Sequence, residues 1–111
     1  MMKLTTNDCK QYIVDWYANN RNAFPINKRE WHGDWVGDGL DPKDWKRCAK
    51  SSSNGKTYRA FEPVACTVID VRVVIVLTEE NGVIVKLEHG ERDQFEGPGN
   101  YFNRIKWNGL E

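Results

Sequence analysis

No run of this chain reaches the roughly 18 consecutive apolar residues that a membrane-crossing helix needs. No sign of charge dominates either, because sixteen basic residues meet sixteen acidic ones for a formal net charge of zero. A global field that would recruit nucleic acid or a membrane surface is therefore absent, and any electrostatic partner must be met locally. The first residues lack the basic, apolar and small-residue succession of a secretory signal, so the expected compartment is the cytoplasm. Cysteine is scarce: Cys9, Cys48 and Cys66 are odd in number and widely spaced, which does not suit a disulfide framework, and reduced thiols are expected. Only Cys48, beside Lys46, Arg47 and Lys50, has the basic neighbours that could lower a thiol pKa.

Chemical motifs are missing as well. There is no C-x-x-C or H-x-x-x-H spacing for zinc, and His32 and His89 stand far apart in sequence. The one Gly-Pro-Gly stretch, Gly97 to Gly99, is followed by neither a lysine nor a helix signal and cannot cradle phosphate in the P-loop manner. No nucleophile elbow accompanies any cysteine or serine. These absences leave no catalytic pair to assign, no metal site and no cofactor, and a non-catalytic domain that acts by binding is expected.

What the chain does have is hydrophobic material for one core. Apolar residues make up 40% of it, with five tryptophans, four tyrosines and four phenylalanines, enough burial to offset the chain entropy of a single globular domain over residues 1–111. From Thr67 to Leu87 a β-branched run meets Glu80-Asn81-Gly82 and continues through Val83, Val85 and Leu87. It predicts an antiparallel hairpin. A three-residue loop with a bulge at Gly82 would set Leu77 opposite Val85 and Ile75 opposite Leu87. Ile69, Val71, Val73, Ile75, Leu77, Val83, Val85 and Leu87 would then share one dry face.

That face needs a cover, and the opening segment supplies it. Cys9, Tyr12, Ile13, Trp16 and Tyr17 fall at helical spacing, Thr5 is an N-cap candidate with Asp8 three residues on, and the helix should stop by Asn20 to Asn22. Asp41-Pro42 reads as a second helix start, running to Lys50 with Trp45 on its apolar side. Ser51 to Gly55 would close it before a strand over 57–62, which Pro63 interrupts. Residues 89–100 read as a polar loop, and 101–107 as a strand. The fold class expected is α+β: a small antiparallel sheet of three to four strands, an N-terminal amphipathic helix on one face, and a Trp-rich loop plus short second helix.

Two surfaces offer themselves for binding. Trp31, Trp35, Trp45 and Trp107 lie outside the helix–sheet core and exceed what a small domain can easily bury, and tryptophans are enriched at the energetic centres of interfaces, so a protein partner met through Trp31, Trp35 and Trp45 is the leading expectation. The competing account tucks the loop indoles into a second small core against Val64, Val68, Val74 and Val76. The alternative function is nucleic-acid binding. Lys43, Lys46, Arg47 and Lys50 would share one face of the second helix, and with Lys56, Arg59 and Asp44 they give residues 43–59 a local charge of +5. Segment 79–96 carries −4 as a counterweight. Glu30, His32, Asp34, Asp38 and Asp41 form the densest polar cluster, but spacings of four and three between the aspartates do not match a calcium loop, and turn chemistry explains them.

Overall fold

The structure, a computed structural model, describes residues 4–20, 39–64, 71–93 and 101–110. Helix α1 spans Thr6–Ala18. It starts where Thr5 accepts a hydrogen bond from the Asp8 N–H at 3.0 Å while the Asp8 carboxylate accepts one from the Thr5 N–H at 2.9 Å. That reciprocal box satisfies two otherwise orphaned donors. The Asp8 carboxyl is held below its ordinary range by these bonds to Thr5.

Five strands follow: β1 (Trp45–Ser53), β2 (Lys56–Pro63), β3 (Val71–Glu80), β4 (Val83–Asp93) and β5 (Ile105–Leu110). They form one antiparallel sheet in the order β1-β2-β3-β4-β5, each strand paired to its neighbour in sequence. The helix lies on one face. Cys9, Ile13, Val14 and Tyr17 of α1 pack with Trp45, Phe61, Val73, Ile75, Leu77 and Leu87 of the sheet. Each large side chain fully buried there contributes about 1.5–3 kcal/mol. Tyr12, expected in the apolar stripe, is exposed, and Val14 is buried in its stead. The buried face is centred on the row Cys9, Ile13, Tyr17.

The strand count exceeds expectation because residues 45–53 are not helical. Asp41 is an N-cap and Pro42 a first helical residue, as their chemistry predicts, but the helix is one 3-10 turn, Pro42–Asp44, after which the chain extends into β1. The second helix expected over 42–50 is therefore corrected to a turn and an edge strand. What overrides it is Asn54-Gly55, whose φ values of 53° and 79° are both positive. This is the signature of a two-residue type I′ turn that returns the chain along β2. Pro63, opposite Trp45, lies beyond the last β2–β3 pair, where a missing N–H breaks no ladder to β3.

The β3–β4 hairpin is present, but its register differs from expectation. Asn81 and Gly82, with φ of 55° and 80°, form a second two-residue turn. Glu80 lies opposite Val83 and Glu79 opposite Ile84, and the register shifts so that Thr78 meets Lys86. Val85 is thus left as a bulge, Leu77 lies opposite Leu87 and Ile75 opposite His89. The extra residue restores the apolar row that an unbroken two-residue register would have mixed with charge. It also reverses the expected faces near the turn. Val83 and Val85 are exposed, at 61% and 53%, while Ile84 packs on the core. Gly82→Ala, which forces a Cβ into a left-handed conformation, is expected to cost about 1 kcal/mol in urea unfolding, whereas Val85→Thr should change stability by less than about 0.5 kcal/mol.

Strand β4 continues to Asp93, through residues expected to begin a loop. Residues 101–107 divide, with Tyr101–Arg104 forming a 3-10 turn and the strand starting at Ile105. The sheet face turned away from α1 has its own small core. Ala60, Val74, Val76 and Ile105 are buried there, with Ala49, Tyr58, Tyr101 and Phe102 packed against them.

Candidate functional site

Strand alternation decides where the basic residues point. Arg47 and Lys50, opposite Phe61 and Arg59, share the α1 side of the sheet, and with Arg59, Leu4, Thr5 and Thr6 they line a cleft of about 260 Å³ at the start of the helix. Lys46, opposite the inward Glu62, belongs to the other face. Lys43 is in the 3-10 turn and Lys56 at the start of β2, both exposed. The shared helical face expected for Lys43, Lys46, Arg47 and Lys50 therefore does not exist, because a period of two divides what a period of 3.6 would have gathered. Arg59 is buried and paired with Glu79.

Trp45 is not a surface indole. It is fully buried, its ring meets Tyr17 edge-on at 5.8 Å, and its Nε1–H donates to the Gly39 carbonyl at 3.1 Å. The Asp44 carboxylate, also buried, accepts from the Gly39 and Asp41 N–H groups. This knot fixes the entry into β1. Trp31, Trp35, His32, Glu30, Asp34, Asp38 and Cys66 lie outside the described residues, as do Val68 and the opening of the long β-branched run. His89 is buried, with its ring 5.7 Å from Trp16.

The face away from α1 holds a polar cluster that sequence reasoning missed. Glu62, 1% exposed, accepts at one oxygen from Arg92 Nη2 at 2.9 Å, Arg92 Nε at 3.0 Å and the Tyr101 hydroxyl at 2.5 Å. The Arg92 guanidinium also sits 4.9 Å from the Tyr101 ring centre. Burial and then the Glu62 charge push the Tyr101 hydroxyl well above the usual tyrosine range. Burial opposes the Arg92 charge, but Glu62 more than offsets it and raises that pKa. Nothing in the sequence marks these three: Glu62 lies 30 residues before Arg92 and 39 before Tyr101, and they meet because β2 and β4 flank β3 while the second 3-10 turn brings Tyr101 to the same face.

Cys48 sits in the β1 bulge between Arg47 and Ala49. Although the residue as a whole is exposed, desolvation of its sulfur and then the nearby Glu62 carboxylate push the thiol up to about 11. The basic neighbours expected to activate it are outweighed. At pH 8 only about one thiol in a thousand is ionised, so alkylation of Cys48 by iodoacetamide should be slow and rise about tenfold per pH unit up to pH 10, measured against Cys48→Ser. A fast, pH-independent reaction at pH 7 would contradict this environment.

Beside the cluster runs a groove of about 340 Å³ lined by Ser51, Tyr58, Val76, Glu88, Phe102, Asn103 and Trp107. Trp107 is 43% exposed. Among the described residues no three His, Cys, Asp or Glu side chains are grouped to hold a metal ion, and no helix is long and apolar enough to cross a membrane. Set beside known protein families, curated proteins and solved structures, the chain matches none.

Proposed function

We propose that this domain acts by binding a partner protein through the segment that carries Trp31 and Trp35, with Arg47 and Lys50 at the exposed edge of β1 orienting an acidic partner. The supporting observation is that both sheet faces have their covers within the described residues. Helix α1 and Trp45 close one face, while Tyr58, Tyr101, Phe102 and Ile105 cover Val74 and Val76 on the other. A small core on that face is formed by side chains of the sheet and of the second 3-10 turn. Tryptophans are enriched at the energetic centres of interfaces, and Trp31 and Trp35 are the anchors this reading assigns to a partner.

Trp31→Ala and Trp35→Ala should each leave the melting temperature within about 3 °C of the parent while depleting the proteins retained by the immobilised domain. A fall of 10 °C or more would assign the indoles to the interior and remove the proposal.

A second reading, binding to a phosphate backbone, draws on the cleft where Arg47, Lys50 and Arg59 meet the first turn of α1. Few cations share that side, so a shallow salt dependence is the expected signature. Arg47→Glu with Lys50→Glu would abolish such binding, whereas Lys46→Glu would weaken it only slightly.

A further inference from the structure

We propose that the groove on the sheet face away from α1 is a binding site for a small organic cation bearing a quaternary ammonium group. All five strands and the second 3-10 turn supply its wall: Ser51 from β1, Tyr58 from β2, Val76 from β3, Glu88 from β4, Phe102 and Asn103 from the turn, and Trp107 from β5. Its volume of about 340 Å³ is that of a small-ligand pocket.

The lining selects the charge. Three aromatic residues, Tyr58, Phe102 and Trp107, line it together with a single carboxylate, Glu88, and the remaining polar groups, Ser51, Asn103 and the Tyr58 hydroxyl, are neutral. Aromatic faces carry negative charge and attract cations, the more so when these are weakly hydrated. Glu88 repels an anion and pairs with a cation. Among the described residues it pairs with the exposed Lys86, whose ammonium nitrogen stands 3.4 Å from the carboxylate, a loose contact that an entering cation can displace at little cost. A quaternary ammonium needs no hydrogen-bond acceptors, and its methyl groups match Val76 and the rings.

The site is also held in shape. The turn that presents Phe102 and Asn103 is tied to the sheet one residue earlier, where the Tyr101 hydroxyl meets Glu62 and the Tyr101 ring packs edge-on against Phe102 at 5.6 Å. A wall fixed by a buried charged cluster loses little entropy on binding. The inference does not depend on Trp31 or Trp35.

The test titrates the intact chain with choline chloride, its neutral isostere 3,3-dimethylbutan-1-ol, and sodium chloride as an ionic control. The readout is the indole N–H resonance that Trp107→Phe deletes from the spectrum. Saturable movement of that resonance by choline, at least about tenfold weaker for the neutral isostere and about tenfold weaker in Glu88→Gln, is the expected result. Glu88→Gln keeps the side-chain shape, and its unfolding curve shows that the fold is intact. Equal response to the alcohol would make this an apolar crevice without charge selection. No saturable response to choline, or one unchanged in Glu88→Gln, would overturn the proposal.

Discussion

Trp45→Ala is expected to cost about 3–5 kcal/mol in urea unfolding, a large part of the 5–15 kcal/mol typical of a whole domain. The indole is fully buried among α1, Phe61 and the central strands, so truncation opens a cavity at the meeting point of helix and sheet. It also strips the Gly39 carbonyl of its 3.1 Å donor, leaving a buried acceptor unsatisfied. Trp45→Phe refills most of the volume but not the hydrogen bond and should fall between the parent and the alanine variant. A loss below about 1 kcal/mol for Trp45→Ala would mean that this side chain does not close the core. The contrast with Trp31 and Trp35, whose removal should leave stability nearly unchanged, separates the structural indole from those proposed to meet a partner.

Glu62→Ala should be of similar size, about 3–5 kcal/mol. Removing one partner of a buried ion pair strands the other, and here the Arg92 side chain, 13% exposed, would keep its charge without compensation. Tyr101→Phe, which removes one hydrogen bond to a charged acceptor, should cost about 2 kcal/mol. Replacing both Glu62 and Arg92 with leucine should recover part of the loss, since apolar side chains tolerate the site that a lone charge does not. Thermal unfolding of the three variants checks the set. If Glu62→Ala proved as stable as the double leucine variant, the pair would not be coupled.

Much of the architecture is written in local patterns. The i, i+4, i+7 spacing of Cys9, Ile13 and Trp16 and the cap at Thr5 place α1, and the alternation of Val73, Ile75 and Leu77 identifies the face it covers. Asp41-Pro42 starts a helical turn, as capping chemistry requires. The length of that helix was not legible from the periodicity of Lys43, Lys46, Arg47 and Lys50, because charged residues at helical spacing on an exposed strand satisfy both patterns. Asn54-Gly55 held the better signal, a hairpin dipeptide that had served only as a helix stop. The bulge at Val85 shows a different limit. Turn chemistry favoured Asn81-Gly82 as a two-residue turn, core patterning rejected its register, and one extra residue reconciled them.

The candidate sites were less legible for a physical reason. Glu62, Arg92 and Tyr101 form a unit only once β2 and β4 flank β3 and the second 3-10 turn delivers Tyr101, and the groove draws on residues from 51 to 107. No spacing rule encodes such assemblies. Trp45 misled in the opposite sense: a bulky aromatic beyond the recognised elements looked superfluous until β1 gave it a place.

Because every strand pairs with the one just before it along the backbone, the molecule can assemble as a zipper. The tight Asn-Gly reversals bring β1 against β2 and β3 against β4 over the shortest available loops, so little chain entropy is spent before those two ladders are rewarded. Refolding should be quick where those reversals lead, with docking of the α1 roof following once there is a surface to receive it.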